Sequence, residues 1–205
     1  MTSRGRCNAG SRARAALRIS GIAALLGLTG AARVAAQVVA PATFATGSVT
    51  FVVHSTIVGA LNGHAPIASA EFVGGRLSDV RGVAVVLVAD LRTGNGSRDR
   101  HMRAAMDADS FPTIRFDLDS LQTGPAADDT VGVVLMGRLT LHGVTRPVRA
   151  TGRVVVAPDG AVVDASFPVD MRDYGIRPPV RALVLRVSPA VAVAVHLAFA
   201  AGPSP

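Results

Sequence analysis

The sequence has 205 residues, a formal net charge of +7 and no lysine, so all 21 basic residues are arginines. Six of these arginines and none of the 14 acidic residues lie in the first 36 positions, which leaves a net charge of +1 on the rest of the chain. A nearly neutral chain without a basic run lacks the electrostatic footprint of nucleic-acid binding, so we expect no nucleic-acid partner. Cys7 is the single cysteine, which excludes an intramolecular disulfide framework.

The first 36 residues have the organisation of a cleaved export signal. A segment with five arginines, ending at Arg18, precedes the apolar run 19–28, and small residues lead to a cleavage point after Ala36. The apolar run is shorter than the roughly 20 residues that a membrane-spanning helix needs, although a retained membrane anchor is the alternative. We therefore expect a periplasmic or secreted protein that begins near Gln37.

Strand patterns dominate the rest of the chain. Apolar and polar residues alternate with a period of two, and clusters of Gly, Pro and Asp separate the runs, which indicates antiparallel strands joined by short loops. The chain is thus divided into a signal peptide at 1–36, a short lead at 37–47, a strand-rich domain at 48–199 and a tail at 200–205. From the pattern alone, the domain is either a closed barrel or a sandwich. The eight predicted strands are 48–54, 69–77, 82–91, 113–121, 131–141, 146–157, 161–171 and 190–199.

The alternation also predicts which side chains share the apolar face. Because an eight-stranded barrel can be filled by side chains or can hold one small ligand, this face is either a packed core or the wall of a cavity. The residues assigned to it are Phe51, Phe72, Val85, Leu87, Ile114, Phe116, Leu135, Leu139 and Phe167.

One segment concentrates chemically capable side chains. Arg98, Asp99 and His101 follow a Gly-Asn-Gly turn, and Ser97 is a candidate N-cap for a short helix whose positive end lies near Asp99. His101 has no second histidine three or four residues away, so we predict no metal site. The chain also lacks a G-x-S-x-G elbow. We interpret the segment as a structural tether and expect no enzymatic activity.

Four motifs follow one another along the chain in a specific order. They are "VTFVVHST" at 49–56, "LRTGNGSRDRHMR" at 91–103, "FPTIRF" at 111–116 and "GRLTLHGVTRPV" at 137–148. In order and spacing they resemble the YceI-like family of exported, lipocalin-like polyisoprenoid-binding proteins, and the resemblance covers roughly residues 48–199. It implies an all-β fold: an eight-stranded antiparallel lipocalin-like barrel with one short helix.

The resemblance also implies an elongated apolar cavity that holds an isoprenoid, an isoprenoid quinone or another long-chain lipid. The nine residues of the apolar face then become candidate ligand-binding residues, with no cofactor, and we expect transient contact with a membrane. Two alternatives stay open: an enzyme that acts on such a lipid through the region of His101, and a barrel that binds a membrane protein through its loops. The oligomeric state stays undetermined.

Two features bear on the rim of such a cavity. Val53 stands where the family often has a basic residue before the histidine of the first strand, which leaves the identity of the ligand open. The connection 172–189 contains Tyr174, the single tyrosine, and Arg177. We interpret this connection either as a rim that contacts a polar head group or as a turn held by packing of the tyrosine.

Overall fold

Within the residues that the structure describes, ten strands and one helix make up the architecture. The computed structural model describes residues 42–74, 76–157, 159–177, 180–181 and 185–201, so the predicted signal peptide lies outside the described residues. The strands are β1 (Ala42–Ser55), β2 (Gly59–Pro66), β3 (Ser69–Val73), β4 (Arg81–Leu87), β5 (Thr113–Ala127), β6 (Thr130–Leu141), β7 (Val144–Ala157), β8 (Gly160–Asp170), β9 (Val180–Arg181) and β10 (Leu185–Ala201). The helix is α1 (Gly96–Ala105), and 3-10 turns cover Leu77–Asp79, Val88–Asp90 and Met171–Tyr174.

Nine of the strands form one curled antiparallel sheet in the order β2-β1-β10-β8-β7-β6-β5-β4-β3, and β9 pairs with the beginning of β10. The two edge strands are consecutive in the chain. Between them, the Ile67 amide donates to the Gly47 carbonyl of β1 at 2.9 Å, and the Ala68 amide donates to the Val85 carbonyl of β4 at 2.8 Å. Within the described residues no ladder joins β2 to β3. The edges are brought together by this two-residue crossing and by an antiparallel bridge between His64 of β2 and Arg92, which follows β4.

The prediction of an all-β antiparallel fold with one helix is confirmed, but the count of eight strands is wrong. The pattern missed β2, whose sequence GALNGHAP is poor in strand-forming residues. It forms because β1 offers a complete ladder from Ser48 to Ser55, and its proline is tolerable on an edge strand. The pattern also missed β9, and it began the first strand at residue 48 instead of Ala42.

The short helix α1 begins where the sequence suggested, with a different cap. The side chain of Asn95 accepts a hydrogen bond from the Arg98 amide at 3.0 Å and is the N-cap, whereas Ser97 lies in the first turn. Asn95 has the extended backbone expected of a capping residue, and its oxygen satisfies one of the free amides at the helix start.

The interior of the barrel differs between its two ends. At the end farther from α1, the inward side chains of β5, β6 and β7 pack into a solid cluster with the turn after β3. We call this group the floor cluster; its members are Leu77, Leu118, Leu121, Val131, Val133 and Val154, each at most 7% exposed. At the end nearer α1, the interior is open.

Candidate ligand-binding cavity

The open half of the barrel encloses a cavity of about 750 Å³. Its wall consists almost entirely of aliphatic and phenylalanine side chains from the inner faces of the strands. That volume lies in the range of about 300–1,000 Å³ that is usual for small-molecule sites, and such sites are mostly apolar with a few polar groups. The filled-core alternative is therefore limited to the floor cluster.

Seven of the nine residues assigned to the apolar face lie in this wall. They are Phe51, Phe72, Ile114, Phe116, Leu135, Leu139 and Phe167. Contact of these seven with a ligand stays a prediction, because their position shows only that they surround the cavity. The open cavity also includes many wall residues from β10 that were not among the nine, notably Val191, Val193 and Val195.

The assignment of Val85 and Leu87 is wrong. In β4 the wall is formed by Ala84 and Val86, and the side chain of Leu87 is 38% exposed on the outer face. Both faces of β4 are apolar, so alternation alone could not orient it. Leu91 does line the cavity, but its position does not show which side chains of β4 point inward. The 3-10 turn Val88–Asp90 lies between Leu87 and Leu91 and interrupts the alternation of faces.

The small inward residues of β4 are explained by the rings that cover them. Phe72 pairs directly with Gly82, and a Cβ on Gly82 would lie 2.2 Å from its ring. Phe116 pairs with Ala84 in the same way on the other side. Each phenylalanine therefore lies over a small residue of the neighbouring strand, and larger inward side chains on β4 would displace the rings.

Helix α1 lies over the mouth of the cavity. Met102, Ala105 and Met106 share one face of the helical segment and contribute to the wall, as their spacing of three and four residues allows. These are flexible or small side chains, which fit an irregular apolar surface. The helix therefore provides an apolar cover at the end opposite to the floor cluster.

The polar side chains of the wall are concentrated near the same end. Most come from the segment that leads into α1 and from its first turns, and one comes from the end of β1; they are Ser55, Thr93, Asn95, Ser97, Arg98 and His101. The hydroxyl of Ser55 accepts from the amides of Ile57 and Val58 at 3.4 and 3.5 Å, which shapes the β1–β2 turn. The cavity thus has an apolar depth and a polar mouth.

Arg98 and Asp99 are joined through Thr93. The Arg98 Nε–H donates to Thr93 Oγ1 at 2.9 Å and Arg98 Nη2 donates to the Thr93 carbonyl at 2.8 Å. The Thr93 hydroxyl and amide in turn donate to Asp99 Oδ1. Asp99 is only 5% exposed, and these bonds tie the segment before the helix to its first turn. The geometry is that of a structural tether, as interpreted from the sequence.

The charge state of Asp99 follows from the same contacts. The hydrogen bond from the Thr93 hydroxyl lowers the pKa of Asp99, and this effect outweighs desolvation, which raises the pKa. The Thr93 amide, Arg103 and Arg92 lower it further. Asp99 is therefore an anion at neutral pH, which leaves it as an acceptor and not as a proton donor.

The connection after β8 is a packed turn at its beginning. Tyr174 is 3% exposed and packs with Leu139, Leu141, Val169 and Ile176. Burial raises the pKa of its phenol. The Tyr174 carbonyl is 3.0 Å from His142 Nδ1 of the β6–β7 turn. Of the two interpretations of this connection, packing of the tyrosine is the one observed, and Arg177 is exposed beside it.

The features of two other classes of protein are absent from the described residues. No three His, Cys, Asp or Glu side chains among them are arranged to hold a metal ion. No helix in the described part of the chain is long and apolar enough to cross a membrane.

A curled antiparallel sheet around an apolar cavity, with a helix over its mouth, defines a lipocalin-like barrel. A family model for the YceI-like domain matches residues 39–199, so the chain belongs to the YceI-like family. Two UPF0312 proteins from strains of Pseudomonas putida are 31% identical over 99 residues, which cover 44% of this chain and 50% of each relative. The chain thus spans about half the length of the curated relatives that it matches.

Solved structures share the fold. BcnA of Burkholderia cenocepacia aligns with a TM-score of 0.62 at 16% identity, over 74% of this chain and 95% of that one. A polyisoprenoid binding domain from Saccharophagus degradans aligns with a TM-score of 0.61 at 14% identity, over 80% and 99%. The YCEI protein of Campylobacter jejuni aligns with a TM-score of 0.53 at 13% identity, over 70% and 86%.

Proposed function

We propose that the protein is an exported, non-catalytic carrier of a polyisoprenoid lipid, an isoprenoid quinone or a similar long-chain amphiphile. The observation that supports this most directly is the distribution of polarity in the cavity, which is apolar in its depth and polar at the mouth. An amphiphile has the same distribution, and each buried CH₂ group contributes about 0.8 kcal/mol. The solved polyisoprenoid binding domain with the same fold supports this choice of ligand class.

We propose that the head group lies beside Arg98. This guanidinium is half-buried in the wall, and its bonds to Thr93 fix its orientation. They leave other N–H groups of Arg98 as donors, since a guanidinium carries five. A phosphate, carboxylate or quinone carbonyl would accept a hydrogen bond from Arg98. The hydrogen bond to a charged acceptor would be the strongest.

The mouth also presents apolar groups to the outside. Ile57 and Val58, in the β1–β2 turn, are 61% and 60% exposed, and Val58 is also part of the cavity wall. A turn that is apolar, exposed and continuous with the cavity suits transient contact with a bilayer. We propose that the ligand enters and leaves there.

The carrier proposal is tested by native mass spectrometry and organic extraction of the protein purified after export. We expect a long-chain lipid to copurify with the wild type and with Ala194→Trp, whose new side chain points outward from β10. Val193→Trp places the same ring in the cavity and should lose the lipid while remaining folded. Wild-type protein that contains no extractable lipid and binds none when offered would contradict the proposal.

A further inference from the structure

The cavity extends through only part of the barrel interior. Inward residues near α1, such as Leu139 and Leu141 of β6, belong to its wall, whereas Val131 and Val133 of the same strand do not. These two valines are 1% and 3% exposed and pack within the floor cluster. On β5, the wall includes Phe116, but Leu118, two residues further along, belongs to the floor cluster. The cavity therefore ends at packed side chains.

Aromatic rings continue this end wall across the other side of the barrel. Phe72, in the cavity wall, makes an edge-on contact with Phe199, with ring centroids 5.4 Å apart. Phe199 makes a second edge-on contact with Phe44 at 6.2 Å. Neither Phe199 nor Phe44 lines the cavity. Phe72 thus connects the cavity wall to packed rings that, like the floor cluster, lie beyond the depth of the cavity.

We propose that this closed end limits the length of the lipid tail that the cavity accepts. The inference rests on the proposed function, and it adds that the tail enters first and stops at the floor cluster while the head group stays at α1. If each non-hydrogen atom takes about 30 Å³, roughly the share of one molecule in liquid water, a cavity of about 750 Å³ holds about 25 atoms. That corresponds to about five isoprene units by the same volume.

A limit of this kind has a measurable signature. While the tail is shorter than the cavity, each further buried CH₂ group raises affinity about fourfold, because it adds about 0.8 kcal/mol. Once the tail reaches the floor cluster, added carbons stay in the mouth or in solvent and contribute little. Affinity plotted against tail length should therefore rise and then level off.

The test uses linear prenyl alcohols that lengthen by one isoprene unit at a time, measured by displacement of a fluorescent fatty acid from the purified full chain. We expect the wild type to level off near about five units, the length that fills the cavity volume. Leu118→Ala removes part of the floor cluster, and the levelling-off should move to longer alcohols by at most about one unit, because the deleted side chain opens depth.

Met136→Ala is the control. Met136 lies on β6 outside both the cavity wall and the floor cluster and is 38% exposed, so its truncation adds no space to the cavity and the levelling-off should not move. Ala165→Leu adds bulk to a wall residue that packs against the floor cluster. It should move the levelling-off to shorter alcohols, and it tests the inference independently if Leu118→Ala does not fold.

The outcomes separate this inference from the proposed function. If no alcohol and no fatty acid binds, the carrier proposal fails. If alcohols bind and affinity rises without levelling off across the series, the carrier proposal stands and the length limit is wrong. The length limit is also wrong if affinity stops rising at the same tail length in the wild type, Leu118→Ala and Ala165→Leu. In that case the floor cluster does not determine the tail length.

Discussion

The ring of Phe51 lies directly across Gly63, its partner on β2. A Cβ on Gly63 would lie 2.0 Å from the ring carbon Cζ. No side chain fits between the ring and the β2 backbone, so the glycine is needed for the close approach and not for a special backbone angle. Phe51 can line the cavity wall in this position only because its neighbour has no side chain.

Gly63→Ala should therefore push the Phe51 ring into the cavity. We expect a loss of about 1–3 kcal/mol in the free energy of unfolding, as overpacking of an ordered interior produces, together with weaker binding of a fluorescent fatty acid. Gly132→Ala is the control, because the nearest atom to its new Cβ is an ordinary 3.5 Å away. If urea unfolding gives the two variants the same free energy of unfolding, the Phe51 ring moves aside without a loss of stability.

The orientation of β4 gives a second prediction. Ala84→Trp fills space in the wall and should displace the bound fatty acid, whereas Val85→Trp adds the ring to the outer face and should leave binding unchanged. Fluorescence titration of both variants measures this directly. If only Val85→Trp displaces the fatty acid, Val85 points into the cavity, as the sequence pattern suggested.

Asp99→Ala should loosen the tether in front of α1. The Thr93 amide and hydroxyl lose their acceptor, and the helix loses a negative charge in its first turn. We expect the Tm to fall by about 2–4 °C, the shift typical for losing one such interaction in a domain of this size. Asp109→Ala, in the turn after the helix, should leave the Tm unchanged.

His101→Ala should change lipid affinity by no more than a few fold.

The same carboxylate gives a pH dependence. Since the Thr93 hydrogen bond makes the pKa of Asp99 lower in the folded than in the unfolded chain, its contribution to stability is complete above the ordinary aspartate pKa of about 3.9. That contribution is lost as the pH falls through the folded-state pKa. Asp99→Asn should therefore show a shallower loss of stability with acid than the wild type between about pH 5 and pH 2. Parallel pH profiles in urea unfolding would mean that Asp99 is not preferentially ionised in the folded chain.

Membrane contact can be tested at the two ends of the barrel. Replacing Ile57 and Val58 by Asp should reduce cosedimentation with phosphatidylglycerol vesicles, because the apolar turn becomes charged. Val73→Asp is the control, since Val73 is 72% exposed at the end away from the mouth. Binding that is equally weakened by both changes, or by neither, would place the contact elsewhere on the surface.

Sequence pattern predicted the faces of some strands and not of others for a physical reason. Where polar residues alternate with apolar ones, as Arg138 does with Leu139 in β6, the inward face was assigned correctly. In β10 both faces are largely apolar, but the larger residue of most pairs, such as Val193 beside Ala194, points inward. The exception is the polar His196, which is exposed on the outer face beside Asp164. In β4 the larger residue points outward because rings from neighbouring strands occupy the interior.

Long-range contacts account for the other differences. The edge strand β2 depends on pairing with β1 and not on its own residues, so no local pattern could predict it. One difference is local: Thr93 lies five residues before Arg98 and six before Asp99, and the hydrogen bonds that join the three leave no trace in the apolar periodicity. The boundary between cavity and floor cluster depends on how side chains from different strands pack together, and it has no local signal in the sequence.

The place of β10 in the strand order has a consequence for folding. This strand, the last of the described chain, lies between β1 and β8 and pairs with both over most of its length. Until it is added, β1 and β8 are open edges that carry apolar inner faces, which is the condition that favours aggregation. Pairing residues so far apart in sequence is also a slow step. The cavity can therefore form only after the chain has been made as far as β10, which follows every other described strand.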